Sequence, residues 1–175
     1  IHAARAGAVA SLARSAASYS MRTPHTGNMA NDSTVARIPH ASVTAEDAMM
    51  IRRMIARGET LRVTLRMEAR MLPDAQSHNV MGELRGRERP DEVVVMGGHI
   101  DSWDVGAGAM DDGGGVVVAW EAVRLLQRLG LTPRRTIRVV GWTNEENGGR
   151  GGAAYRDAHQ REVHQLAIES DGGVF

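Results

Sequence analysis

The sequence predicts an α/β protein with a mostly parallel, mixed sheet and helices on both faces. Three observations carry this. A continuous apolar run from Val93 to Met96 is what a strand covered on both faces requires. Strand-like segments then alternate with helix-like ones, and strand–helix–strand repetition implies right-handed crossovers and parallel pairing. The His and carboxylate residues of this half follow strands, which in a parallel sheet gathers them at the carboxyl edge, where ligands bind.

Each element has its own warrant. Residues 1–43 show weak periodicity, broken by Gly7, Pro24, Gly27 and Pro39. Thr44 opens a helix: its hydroxyl can cap, Asp47 stands at the reciprocal capping-box position, and Gly58 closes the element. Leu61, Val63, Leu65 and Met67 alternate with Arg62, Thr64 and Arg66, which predicts a half-buried strand over 61–67. Val80, Gly82 and Leu84 predict a second strand, with Gly86 and Pro90 as punctuation. After the strand at 93–96 comes a Gly- and Asp-rich loop to residue 112. A helix over 113–129 follows, with Val116, Trp120, Val123 and Leu126 or Gln127 near one face and Gly130 and Pro133 ending it. A strand over 136–142, a loop over 144–149, a short helix over 151–159 and a strand over 166–169 complete the pattern.

Composition narrows the chemistry. The 21 basic and 21 acidic residues balance, so neither nucleic acid nor an anionic membrane is an expected partner. No apolar run approaches the ~20 residues of a membrane span. The chain has 0 Cys, so disulfides and thiolate metal sites are excluded, and any metal must be held by His and carboxylates.

The candidate residues are His99 and Asp101 after the first of the parallel strands, Asp111 and Asp112 at the end of the same loop, Glu145 and Glu146 after the second, and Asp171 after the third. One His and up to six carboxylates in one crevice cannot all remain ionised without a counter-charge, and a metal is the economical one. A donor set without sulfur suits zinc, with cobalt or manganese as substitutes. Asp112, directly before a helix, reads equally as its N-cap. Other motifs fail. Asp111 stands where a dinucleotide fingerprint needs its third glycine, the 101–112 loop lacks alternating calcium ligands, no HExxH is present, and Ser102 has no nucleophile elbow.

Taken together, GGHIDSWDVGAGAMDDGGG (97–115), WTNEENGG (142–149) and IESDGG (168–173) resemble the co-catalytic zinc aminopeptidase family, and within it the carboxypeptidase Q group. Residues 23–27 and 38–54 resemble the end of that family's inserted protease-associated-type domain and its return to the catalytic domain. The resemblance implies an inserted-domain remnant over 1–58 and a partial catalytic domain of zinc-aminopeptidase-like fold over 59–175, cut at both ends. It implies two zinc ions: His99 and Asp171 on one, Glu146 on the other, Asp111 bridging, Glu145 as general acid/base, and Asp101 orienting His99. A fifth ligand, a His on the second metal, would lie beyond Phe175. His164 does not replace it, being about 20 Å from the site at ~3.3 Å per strand residue, and His159 fails in the same way. The implied activity is hydrolysis of short peptides, chiefly dipeptides with free termini, by an exported homodimer. The alternatives are an inactive receptor or scaffold homologue and a one-zinc enzyme like glutaminyl cyclase.

Overall fold

The chain folds as two units, Ile1–Asp74 and Ala75–Phe175, in a computed structural model that describes residues 1–25, 32–70, 72–103 and 106–173. Gly27, part of the 23–27 resemblance, and Asp104 and Val105, inside the 97–115 segment, lie outside the described residues.

In the first unit, α1 (His2–Arg5) leads to β1 (Ser11–Arg14), which pairs in parallel with β2 (His40–Val43). Helix α2 (Ala45–Ala56) begins as its sequence predicts: the Thr44 hydroxyl accepts from the Asp47 N–H at 3.0 Å, and Gly58 just past the end has a φ of 76°. Glu46 in the first turn has a different duty, its carboxylate accepting the N–H groups of Ser20 and Met21. The strand predicted over 61–67 does not form. Leu61 and Leu65 are half-buried, but among the described residues nothing pairs with this stretch. Alternation specifies the faces of a strand; the ladder requires a neighbour.

The second unit is built on a four-stranded sheet. Its strands are β3 (Val80–Leu84), β4 (Arg89–His99), β5 (Arg135–Trp142) and β6 (Val163–Glu169), in the order β3-β5-β4-β6. Strands β4, β5 and β6 are parallel and β3 runs antiparallel at the edge, so the sheet is mixed as predicted. Pro90 falls inside β4 rather than before it. Its missing N–H coincides with the register break between Arg89 and Val93, where a strand tolerates proline.

The crossovers place helices on both faces. Helix α3 (Gly114–Arg128) packs on β4 and β5, and its buried stripe is Gly115 and Ala119 flanked by Val116, Val123 and Leu126. Trp120 departs from the expected face: it is exposed, with its ring edge over Gly82 of β3. On the other face α4 (Arg150–Ala158) delivers Tyr155 to a core of Val93, Val95 and Val140, with Trp142 meeting it edge-on at 5.0 Å. The chain therefore leaves β4 toward one face and the adjacent β5 toward the other, opening a crevice at their carboxyl ends.

Candidate metal centre

Strand register decides which side chains meet. His99, the last residue of β4, stands opposite Trp142, the last of β5, and Gly97 stands opposite Glu169, the last of β6. The Ile100 N–H donates to the Trp142 carbonyl at 2.7 Å and the Ser170 N–H to the Gly97 carbonyl at 3.0 Å. The loops after β4 and β5 thus start level, and the loop after β6 starts two residues lower, opposite Gly97. His99 belongs to the strand rather than to its loop, which explains why it is only 1% exposed.

Two glycines permit the closest approach. A Cβ on Gly115, in the first turn of α3, would overlap the Ser170 carbonyl and the Asp112 carboxylate. A Cβ on Gly98 would strike Asp112 and the backbone of Val116. Without side chains at these two points, the start of α3 lies against β4 and against the segment that carries Asp171.

Asp112 makes the joint. Fully buried, it accepts the Gly115 N–H at 3.0 Å as a helix cap does and, with its other oxygen, the His99 backbone N–H at 3.1 Å. Burial pushes its carboxyl up, while the two bonds oppose the rise. The sequence indicates the cap; it does not indicate the bond back to β4. The Asp111–Asp112 peptide is cis.

His99 Nε2 lies 2.9 Å from Asp111 Oδ1 and 3.7 Å from Asp171 Oδ1. One ligand atom from each of these residues falls within 4.8 Å of the other two. The shorter distance suits a hydrogen bond but the angle does not: Nε2 is buried and has no hydrogen-bond partner among the described residues. Atoms this close and out of line could serve as co-ligands of one ion. Burial presses the imidazole pKa down, but the Asp101 carbonyl bond and the Asp171, Asp111 and Asp101 carboxylates together raise it. A metal would replace the proton in answering those charges. The donors are a nitrogen and carboxylate oxygens, a set that fits zinc.

The remaining predicted residues stand around this group. Asp101 holds His99 by its backbone: the carbonyl takes Nδ1 at 2.8 Å, while the carboxylate stands 3.8 Å from that nitrogen. Its carboxylate instead accepts the N–H groups of Glu145 at 2.9 Å and Glu146 at 3.2 Å. Glu146 falls outside the three-residue group, but its Oε1 is buried and unpaired among the described residues. Burial and the nearby Asp111 push its carboxyl up. Glu145 is exposed at the rim and lines a cavity of about 360 Å³ with Trp142, Ile168 and Glu169. Glu169 is not among the residues the sequence singles out; its place at the end of the strand predicted over 166–169 is the available signal, and the structure sets it opposite Gly97. Neither His159 nor His164 joins the site. They bond to Glu162 and to the Tyr155 hydroxyl in a separate cluster.

The chain is similar to known proteins in sequence and in fold. The pattern that defines Peptidase family M28 matches residues 79–173. The chain is 49% identical over 177 aligned residues to carboxypeptidase Q of Bos taurus and 47% identical to that of Homo sapiens. In both cases the alignment takes in 100% of this chain and 38% of the relative, so the chain spans well under half the length of the curated relatives it matches. A crystal structure of a peptidase M28 precursor from Shewanella amazonensis SB2B superposes with a TM-score of 0.85 at 37% identity, covering 98% of this chain and 39% of that one.

Proposed function

Because this chain belongs to Peptidase family M28, we propose that the full-length protein is a zinc-dependent exopeptidase that cleaves short peptides, chiefly dipeptides with free termini. The observation that carries the proposal is the buried, unpaired Nε2 of His99 facing the oxygens of Asp111 and Asp171. His99 and Asp171 would hold one zinc and Glu146 a second, with Asp111 between them. Bound zinc would supply two things that peptide hydrolysis lacks at neutral pH, a water of lowered pKa and a polarised carbonyl. Glu145 takes the proton from the attacking water and passes it to the leaving amine, a role its exposed position at the rim permits. Asp112 keeps His99 and the start of α3 in register while this happens.

The same reading extends to the rest of the chain. Residues 1–58 are taken as the end of an inserted domain, and the whole protein as an exported homodimer. Among the described residues no helix is long and apolar enough to cross a membrane. A one-zinc reading, of the glutaminyl-cyclase type, has one observation in its favour: the close group contains His99, Asp111 and Asp171 but not Glu146. Mass spectrometry after incubation of the full-length protein with dipeptides separates the readings. Free amino acids support the peptidase, cyclisation with loss of ammonia supports the one-zinc enzyme, and unchanged substrate supports an inactive homologue.

A further inference from the structure

We propose that Asp101 is a positioning residue for Glu145 and Glu146, with its carboxylate clamping the backbone that carries both. The proposal rests on the roles assigned to those two glutamates above. Oδ1 accepts the Glu145 N–H at 2.9 Å and Oδ2 the Glu146 N–H at 3.2 Å, so each oxygen holds one of two consecutive amides. Such N–H pairs form a concavity for an anion, and here the anion is a side chain from the neighbouring strand's loop.

The backbone around this pair is bent to present it. Asn144 has a φ of 60°, and the Glu145 carbonyl accepts the N–H groups of Gly148 and Gly149 at 3.2 Å each. The turn therefore closes on itself on one side and on Asp101 on the other. Meanwhile the Asp101 carbonyl takes His99 Nδ1 at 2.8 Å. One residue thus fixes the imidazole at the end of β4 through its main chain, and the glutamate turn after β5 through its side chain. The spacing between a ligand of one metal and a ligand of the other passes through Asp101.

Charge explains why an aspartate is used. A further carboxylate beside Asp111 and Glu146 adds repulsion to a cluster already rich in negative charge. An asparagine would avoid that, but it has one acceptor oxygen for two donors. Only a carboxylate presents a separate oxygen to each N–H, and hydrogen bonds to an ionised acceptor are roughly twice as strong as neutral ones.

The test uses the full-length protein and the variants D101N and D101A, with amide hydrogen exchange resolved at residues 145 and 146, zinc content, and dipeptide kinetics. The wild type should protect both amides. In D101A their exchange should rise by about tenfold or more while the amides of β5 from Val139 to Gly141 stay protected; D101N, keeping one acceptor, should fall between. Zinc should be lost from one site before the other. Turnover should drop roughly 10–100-fold, the range for residues that orient metal ligands, with KM changed by about twofold at most. Unaltered exchange at 145 and 146 in both variants would overturn the proposal, as would loosening spread equally through β5. Should D101A fail to fold, D101N carries the comparison. If the protein proves not to be a peptidase, only the kinetic arm falls silent; exchange and metal content still decide.

Discussion

Two clusters of ionisable side chains lie along β5, about four residues or ~13 Å apart at ~3.3 Å per residue, and they meet the same electrostatic problem differently. At mid-strand Arg138, 7% exposed, is surrounded by groups that answer it. Its guanidinium bonds to Glu83, to Glu162 and to the Tyr155 hydroxyl, and Glu162 also takes His159. The Arg138 bond, helped by His159, holds the Glu162 carboxyl down at about 2, and Arg138 itself is held above its ordinary value despite burial. At the carboxyl end a single imidazole faces Asp101, Asp111 and Asp171, and both His99 Nε2 and Glu146 Oε1 are buried without a partner among the described residues. The first cluster is complete with its own atoms. The second is short of positive charge, and a cation from outside would complete it. Unmet polar atoms, rather than the number of acidic residues, distinguish a site from a brace.

The contrast is broken most severely by substitutions that separate catalysis from architecture. Glu145→Gln should lower dipeptide turnover by roughly 10²–10⁴-fold with metal content retained, since the proposed role of the rim glutamate is to move a proton and not to hold an ion. Glu146→Gln should lower the occupancy of one metal. Kinetics and metal analysis on the same preparations check both, and the reverse pattern would exchange the roles of the pair.

Arg138→Met should act in the opposite sense, leaving metal content alone and costing stability. Removing one partner of a buried pair costs about 3 kcal/mol at the lower end of the measured range, and the partial exposure of Glu83 and Glu162 keeps the cost near that end. Denaturant unfolding of the full-length protein measures it. An unchanged midpoint would mean that the cluster is no brace.

A smaller effect comes from pH. Glu162 has its carboxyl depressed from 4.5 to about 2 in the folded protein, so the unfolded state binds its proton first. Its stabilising contribution is complete above about 4.5 and is lost as pH falls toward 2. Wild type and Glu162→Gln should therefore differ in stability near neutrality and converge at about pH 2, as thermal unfolding across that range would reveal. A difference that persisted at pH 2 would place the contribution in packing rather than in charge.

The sequence made the second unit and its site more legible than the first, for physical reasons. Val93 to Met96 announces a buried parallel strand without reference to anything else, and parallel topology then forces His99, Asp111 and Asp171 to one edge. Strands β1 and β2 are four residues each and pair across more than twenty intervening positions, too short for a period and too distant for a turn signal. The 61–67 stretch has the period without the neighbour. Asp101 shows a further limit. The resemblance implies that Asp101 orients His99, and a carboxylate is the expected partner of a ligating imidazole, but the imidazole takes the carbonyl, and the carboxylate reaches a loop 44 residues away. A hydrogen bond to a distant backbone leaves no mark in residue type or spacing.

The central claim is that a cation completes the cluster around His99 and that the chemistry depends on it. The direct measurement is dipeptide hydrolysis by the full-length protein, assayed as purified, after exhaustive chelation, and after zinc is returned with metal content determined at each stage. Activity should vanish with the metal and return with zinc, cobalt substituting, while Arg138→Met follows the same course as wild type. Full turnover by protein shown to be metal-free would contradict the account.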